Sequence, residues 1–419
     1  MYGLEYLRRK LRQKQSRVNL RYKYYEMKNV VKDLGISTPP QLRAWFNSLG
    51  WCALAVDELA DRIVFDEFAH DDFNISDIYK TSNQDILIPS VVDGALIGAC
   101  AFIYVSADDS GYPRLQCINA YDATGIIDPF TYMLQEGYAV LEQTKSGTPT
   151  LEAYFTADAT EIYEDGKLRD VIDNPADYPL LVPVVFRPSA KRPFGHSRIS
   201  RASMSTVDSA IRTIKRSEIA AEFFSFPQRW ITGLDRDAQK MEKWRAAMST
   251  LLTFTKDRDG KAPQLGQFAQ QSFEPHLSQL RMFAALFAGE TGLTMDDLGF
   301  VTDNPSSVDA IKASHERLRR MARAAQNDFA VGFKNAGFLA ACVRDDYPYE
   351  RYLIADTDMK WAPLYEPDTA ALTGLGDGIN KINQAVPGYF GAANVQDLIG
   401  IKPDATSNVS LSIPEVDES

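Results

Sequence analysis

The 419-residue sequence has little of what secreted, membrane-spanning or metal-binding proteins need. Its four cysteines are scattered without the close spacing of a metal site, which is typical of a protein from a reducing compartment. The longest strongly apolar run, residues 95–105, is too short to span a bilayer. The first residues are basic rather than apolar, so no secretory leader is predicted. We therefore expect a protein that is neither secreted nor inserted in a membrane.

Motifs that carry chemistry are also missing. The stretch GHSRI, residues 195–199, begins like a nucleophile elbow, but Ile199 stands where the second glycine must be. The stretch TKDRDG, 255–260, begins like a calcium loop, but Gly266 occupies the twelfth position, which needs a bidentate Glu. The histidines are isolated, and His315 is interpreted as a partly buried or interfacial side chain rather than a metal ligand. The sequence thus predicts no catalytic residue, no metal site and no cofactor.

One enzymatic alternative stays open at this point. The chain has 56 acidic residues, and a metal-dependent nucleic-acid enzyme can take its carboxylate ligands from distant parts of a sequence. Adjacent acidic pairs are expected by chance in such a composition, so they do not favour this function. It remains an alternative without positive support.

Charge is distributed unevenly along the chain. Residues 1–28 carry nine Lys or Arg and two Glu, a net charge of +7, whereas the whole chain carries −11. The remainder therefore carries −18. This pattern is typical of a solvated acidic body with a basic arm, and it also fits an acidic body that repels polyanions and has a separate basic anchor.

Hydrophobic periodicity predicts an α+β protein whose first half is helical and then β-rich. Helices are predicted over 1–34 and 41–66, and short antiparallel strands from about residue 85 to 190. Two hairpins are predicted in this region, and one has Asp165-Gly166 at its turn, where positive φ is needed.

The second half is predicted to be mainly helical. Apolar stripes indicate helices over 199–226 and 272–291, separated by a mixed segment, 227–271. Shorter helices are expected near 366–385 and 392–400, and the polar tail, 402–419, is expected to be flexible.

A loop and a well-marked helix start lie between these parts. Ser306 is a good N-cap, Asp309 follows at capping-box spacing, and Pro305 disfavours helix before it. A long helix is therefore predicted over 307–343. The preceding loop is acidic and glycine-containing, and loops of this kind are often functional. An ordinary surface helix packed on a core is the alternative interpretation.

This order of parts resembles the portal proteins of tailed double-stranded DNA bacteriophages, the head-to-tail connectors. Three stretches carry the resemblance, which extends from about residue 30 to 400: PVVFRPSAKRPFGHSRIS, LFAGETGLTMDDLGFVTDNPSSVDAIKASHERL and MKWAPLYEPDTAA. These stretches match the family in the order of their parts and in their general residue composition, and they contain no catalytic signature. The C-terminal part is short, which implies a reduced crown.

The resemblance implies a portal-type subunit with a mixed α/β wing, two long stem helices, a small clip domain and a tunnel loop before a long helix. The implied boundaries are a basic N-terminal helical arm at 1–34, the wing at 35–195, stem helices at 196–226 and 272–291, the clip at 227–271, the tunnel loop at 292–306, the crown-supporting helix at 307–343, C-terminal wing or crown helices at 344–401 and the tail at 402–419.

The implied function is structural. Portal proteins form a ring, usually a dodecamer, at one capsid vertex of the virion, after assembly in the host cytoplasm. Double-stranded DNA passes through the ring without sequence-specific binding during packaging by the terminase motor and during ejection. The implied partners are other copies of the chain, terminase, a head-completion adaptor, the major capsid protein and scaffold protein. A non-channel virion adaptor or scaffold protein is the alternative outside enzymes.

The resemblance implies roles for three groups of residues. The tunnel-loop group faces the DNA channel and consists of Asp296, Asp297, Asp303, Asn304 and Ser306. The clip group could contact DNA or the adaptor and consists of Lys256, Arg258 and Lys261, for which a solvated turn is the alternative. The arm group could contact capsid or scaffold protein and consists of Arg8, Arg9, Lys10, Arg12 and Lys14.

Overall fold

The computed structural model describes most of the chain, with one internal gap in its first half and several in its second half. The described residues are 2–32, 46–224, 229–232, 264–267, 272–300, 308–364, 369–391, 394, 395 and 398. Several predicted residues lie outside this set, namely Asp303, Asn304, Ser306, Lys256, Arg258 and Lys261, together with the tail 402–419.

The predicted α+β class is confirmed, and the N-terminal part is mainly helical. Its elements are α1 Leu4–Tyr25, α2 Trp51–Ala60, β1 Phe65–Ala69, α3 Ile75–Thr81 and α4 Gln84–Gly98. Helix α4 replaces the strand predicted from residue 85. From Val91 onward it is buried on nearly every side, so its sequence lacks the polar stripe that distinguishes a helix from a buried strand.

Helix α1 ends earlier than predicted. Met27 adopts a left-handed φ of 58°, and the amide of Lys28 donates to the carbonyl of Lys23 at 2.7 Å, which closes the last turn. Glycine usually occupies such a position, so the sequence carries no stop signal there. The predicted helix over 41–66 is likewise shorter, with α2 confined to Trp51–Ala60.

Eight antiparallel strands follow. They are β2 Cys100–Ala107, β3 Pro113–Asn119, β4 Ala123–Ile127, β5 Leu134–Gln143, β6 Pro149–Phe155, β7 Ala159–Glu164, β8 Lys167–Asp173 and β9 Leu181–Val185. One sheet has the order β3-β2-β9 and the other β4-β5-β6-β7-β8. Both predicted hairpins are confirmed, and Asp165 and Gly166 have the expected positive φ of 48° and 78°.

The rest of the chain is mainly helical. Its elements are α5 Arg201–Phe224, β10 Arg229–Thr232, β11 Gln264–Gln267, α6 Glu274–Thr291, α7 Val308–Ser314, α8 Glu316–Asp345, a 3-10 turn Arg351–Ile354, β12 Asp358–Trp361 and α9 Thr369–Ala385. The predicted helix over 307–343 is interrupted at His315, where α7 ends and α8 begins. Strand β12 returns to pair with β1.

Helix α8 is the centre of the core. Its inward residues recur every three or four positions and are fully buried, including Leu318, Ala322, Ala325, Phe329, Phe333 and Ala336. A side chain at Gly332 would place its Cβ 2.8 Å from Val184 Cγ2, so glycine lets α8 lie directly on β9. This packing joins the second half of the chain to the sheet of the first.

Candidate functional site

Helices α5 and α6 form an antiparallel pair. The hydroxyl of Ser200, just before α5, donates to Glu290 near the end of α6 at 2.8 Å. Further along α5, the hydroxyl of Thr213 donates to Gln279 on α6 at 3.0 Å. Because residue numbers rise on one helix as they fall on the other, the two helices run in opposite directions. These are the helices predicted as the two stems.

Two short strands lie between these helices in the sequence and pair with each other. Strands β10 and β11 are antiparallel, with Arg229 opposite Gln267 and Thr232 opposite Gln264. They lie within the predicted clip segment, 227–271. The assignment of this segment as a clip, and the division into wing, stem, tunnel loop and crown, stay predictions.

Helix α6 leaves large apolar residues exposed on two sides: Phe273 and Leu277 lie near its start, and Met282 and Leu286 lie on the opposite side of the helix. Its inner side packs on α2, where the rings of Trp51 and Phe287 have centroids 5.6 Å apart. Four large apolar residues on or next to α6 are 40–57% exposed, namely Phe273, Leu277, Met282 and Leu286. Grouped exposed apolar side chains are typical of surfaces that contact another protein.

The loop after α6 has a folded start. Gly292 ends α6 with φ of 77°. The amide of Thr294 donates to Asp297 Oδ2 at 2.7 Å, and the amide of Asp297 donates to Thr294 Oγ1 at 3.2 Å. This reciprocal pair has the pattern of a capping box. Gly299, with φ of 83°, allows the chain to turn again. The beginning of the predicted tunnel loop is therefore an ordered turn.

A histidine ties this turn to the break between α7 and α8. His315 Nε2 lies 3.1 Å from Asp297 Oδ1, and His315 Nδ1 lies 3.0 Å from the carbonyl of Ile311. Burial alone would raise the pKa of Asp297, but the amide of Thr294 and the ring of His315 outweigh it, and the pKa is lowered. Burial opposes the charged form of His315, yet Ile311 and Asp297 raise its pKa. Sequence reasoning treated His315 as partly buried but did not pair it with the loop.

The two adjacent aspartates of the tunnel-loop group, Asp296 and Asp297, differ in exposure and in hydrogen bonding. Asp296 is exposed, whereas the side chain of Asp297 is only 14% exposed and is held by Thr294 and His315. Of this pair, Asp296 is the carboxylate whose charge is available to a molecule passing the loop.

An arginine-lined pocket of about 370 Å³ lies beside the same junction. Its charged lining residues are Arg187, Arg198, Arg317, Arg320 and Glu290. Arg198 is 7% exposed; its Nε donates to the carbonyl of Ala55 at 3.0 Å, and its Nη2 has no hydrogen-bond partner. Burial, and then repulsion by Arg187 and Arg317, lower the pKa of Arg198 to about 10. A buried guanidinium without a carboxylate partner could have been singled out only from three-dimensional contacts.

The five residues of the arm group have different surroundings on α1. Arg9 and Arg12 are exposed. Arg8 is turned inward and pairs with Glu152 of β6 at 2.6 Å. Lys10 and Lys14 lie half-buried against the sheet and the loop before α5. Their predicted contacts with capsid or scaffold protein stay predictions, and Arg9 and Arg12 are the members most accessible to such a partner.

The described residues offer little that resembles an active site. His196 Nδ1 lies 3.0 Å from the carbonyl of Arg187, and Ser197 donates to the carbonyl of Ile97 at 2.7 Å, so these two side chains are engaged with backbone rather than with each other. No cluster of three or more His, Cys, Asp or Glu side chains in this part of the chain could hold a metal ion. No helix within the described ranges is long and apolar enough to cross a membrane.

Known proteins resemble this chain in sequence and in structure. The portal proteins of Mycobacterium phages D29 and L5 are 25% and 24% identical over 319 residues, which are 70% of this chain and 65% of each relative. The chain thus matches just under two thirds of their length. Structural similarity extends to a chain from the virion of a native gene transfer agent particle, with a TM-score of 0.45, 13% identity and coverage of 92% of this chain and 100% of that one.

A chain from the neck of an empty gene transfer agent particle, computed with C6 symmetry, has a TM-score of 0.47 and 13% identity, and the match covers 88% of this chain and 96% of that one. The family model described as "Phage portal protein, SPP1 Gp6-like" matches residues 4–361. This match covers most of the chain and includes the helix pair, the loop and helix α8, and it shows that the chain belongs to the SPP1 Gp6-like family of phage portal proteins.

Proposed function

We propose that copies of this chain form a ring at one vertex of a phage capsid, and that double-stranded DNA enters and leaves through its channel. The observation that carries the proposal is the family match over residues 4–361. In this role the chain is structural rather than catalytic. The ring is proposed to be a dodecamer that docks the terminase motor during packaging and head-completion proteins afterwards.

The antiparallel pair of α5 and α6 supports assembly into a ring. A cyclic interface is heterologous, so each subunit needs two different surfaces that complement each other. The exposed pair Met282 and Leu286, which share one side of α6, is a candidate for one of them, because burying these two side chains in the next subunit would be favourable.

The loop that starts at Gly292 is proposed to line the channel. Asp296 is the exposed carboxylate of its ordered turn, and a ring would repeat that negative charge around the lumen. Cationic contacts to phosphates would add affinity that retards DNA, whereas repeated carboxylates keep DNA away from the wall. The link between Asp297 and His315 would hold the turn against α8, whose packing in the core provides a rigid support.

Native mass spectrometry and negative-stain class averages of the purified protein test the ring. We expect closed rings of about twelve copies with a central hole, because the family is one of portal proteins. Substituting both Met282→Glu and Leu286→Glu should abolish rings by placing charge in the subunit contact. The matched control is Phe130→Glu, at a residue 91% exposed on a different part of the surface, which should leave rings intact.

The adaptor alternative predicts a different result. A protein that stays monomeric, or forms only a closed dimer, even with capsid and scaffold proteins present, would contradict the ring. Metal-dependent cleavage of DNA that disappears on substituting a single aspartate would instead favour an enzyme.

A further inference from the structure

A basic cavity lies between helix α1, the end of α4 and the loop before α5. Its volume is about 360 Å³. Five of its lining residues are cationic and none is acidic: Lys10, Lys14, Arg17, Arg21 and Arg192. In a chain with a net charge of −11, this local excess of positive charge needs an explanation.

Four of the cations share one face of α1. Lys10, Lys14, Arg17 and Arg21 are spaced by four, three and four residues, so they follow one side of the helix. At about 1.5 Å per residue, the row is roughly 16 Å long. Arg192 adds a fifth charge from the opposite wall. The cavity is therefore an elongated cationic groove.

The cations of this groove have neutral partners in the described part of the chain. Lys10 Nζ donates to the carbonyl of Gly125 at 2.7 Å, and Arg21 Nη1 donates to the carbonyl of Gly98 at 2.9 Å. Lys14 Nζ lies 5.5 Å from the centroid of the Phe194 ring. No described carboxylate forms an ion pair with any of the five. Among the described residues, their charge is thus not balanced by an ion pair.

Two further observations favour binding of an anion in the groove. Burial, followed by repulsion from Lys10 and Arg17, lowers the pKa of Lys14 to about 8, although the nearby thiol of Cys100 acts in the opposite direction. Thr124, which also lines the groove, is fully buried, and its hydroxyl has no hydrogen-bond partner. A buried hydroxyl without a partner is uncommon, because its desolvation is costly.

We propose that this groove, defined by Lys10, Lys14, Arg17, Arg21 and Arg192, is a binding site for phosphate groups. Free phosphate carries up to two negative charges and each phosphate of a DNA backbone carries one, and either presents its acceptor oxygens on one compact group, so it can satisfy ammonium, guanidinium and hydroxyl donors together. A carboxylate brings one charge, and several acidic side chains would have to enter the groove to balance five cations. The phosphate comes either from the backbone of DNA or from free phosphate in solution.

The proposal does not depend on ring formation, because all five cations belong to one chain. Binding of inorganic phosphate and of a 20-base-pair duplex is measured by titration calorimetry on the full-length protein. The test variant is Arg17→Gln with Arg192→Gln, at exposed residues that reach into the groove. The control is Arg9→Gln with Arg12→Gln, at exposed cations on or near the same helix turns but outside the groove lining.

We expect inorganic phosphate to bind the wild type and the control equally, and to bind the test variant on the order of tenfold more weakly, as for loss of charge-assisted hydrogen bonds. If the duplex also binds the test variant more weakly than the control, DNA backbone occupies the groove. The slope of log binding constant against log salt concentration should then be smaller in magnitude by about 2 in the test variant. If only the binding of inorganic phosphate is weakened in the test variant, the ligand is free phosphate.

Two results would overturn the proposal. In one, inorganic phosphate does not bind and both double variants weaken duplex binding equally, which indicates diffuse attraction to the whole helix. In the other, polyglutamate binds through the groove while inorganic phosphate does not, which assigns the groove to an acidic protein segment. Neither result bears on whether the chain closes into a ring.

Discussion

Lys14→Met removes a half-buried charge that has no counter-ion among the described residues. The lowering of its pKa from 10.5 to about 8 corresponds to about 3 kcal/mol of destabilisation at neutral pH, at roughly 1.4 kcal/mol per pH unit. The amine also lies 5.3 Å from the Phe102 ring centroid and 5.5 Å from that of Phe194, and loss of these cation–π contacts offsets up to about 2 kcal/mol. We therefore expect the variant to be more stable by about 1–3 kcal/mol at pH 7.

The size of this stability difference depends on pH. Below pH 8 the amine is charged in the folded and unfolded chains, so the full penalty is present. Between about pH 8 and 10.5 the folded chain releases the proton while the unfolded chain keeps it, so wild-type stability rises with pH. Above that range both forms are neutral, and the advantage of Lys14→Met should have disappeared.

Urea unfolding of both proteins at pH 7 and pH 10.5 measures this difference. The reasoning is refuted if Lys14→Met is less stable than the wild type at pH 7, or if the difference is the same at both pH values. Added inorganic phosphate gives a second comparison, because it should stabilise the wild type at pH 7 more than the variant.

Three further substitutions have clear expectations, each measured by urea unfolding. Gly195→Ala should destabilise the fold by at least about 2 kcal/mol, because Gly195 has φ of 72° and a Cβ would lie 2.1 Å from the carbonyl oxygen of Phe186. Asp297→Asn should lower the free energy of unfolding by about 1–2 kcal/mol near pH 5, where His315 is charged. The loss should become smaller as pH rises through the raised pKa of His315, because the ion pair then loses its positive charge. Glu152→Gln should cost about 2 kcal/mol, because Arg8 of α1 loses its buried charged partner and keeps only the exposed Glu5.

Each of these substitutions has a matched control. Gly111→Ala also places alanine at positive φ, of 81°, but meets nothing within 4 Å, so it should cost about 1–2 kcal/mol from backbone strain alone. Asp296→Asn changes the exposed neighbour of Asp297 and should be nearly neutral, as should Glu142→Gln at the exposed end of β5. Equal effects within any pair would contradict the structural explanation.

Elements that are marked by residues close together in the sequence could be predicted. The hairpin turn at Asp165-Gly166 and the helices α5 and α6 were predicted because turn chemistry and apolar stripes are written in adjacent residues. Helix α4 was missed because a helix buried on most sides has no polar face. The end of α1 was missed because Met27 occupies a left-handed position that usually requires glycine.

The candidate site was predicted less completely than the fold. Asp296 and Asp297 are adjacent and alike in sequence, but only Asp297 is held by a partner, and that partner is 18 residues away. The isolation of Arg198 and the cationic groove around Lys14 are likewise properties of contacts between distant segments. The spacing of the four basic residues of α1 indicates that they share one face, but no residue pattern indicates that a charge has no counter-ion, because that is defined by what surrounds the charge in space.

Strand β8 has a practical consequence for work with the isolated protein. It is the outer strand of its sheet, all seven of its residues are exposed, and Leu168, Val171 and Ile172 are among them. An open apolar edge can pair with the same edge of another molecule, although the charged residues Lys167, Arg169 and Asp170 oppose such stacking. Concentrated samples would then contain dimers joined through β8, with two-fold symmetry and no central hole. Replacing Val171 with lysine would suppress these dimers and leave any cyclic assembly as the remaining oligomer.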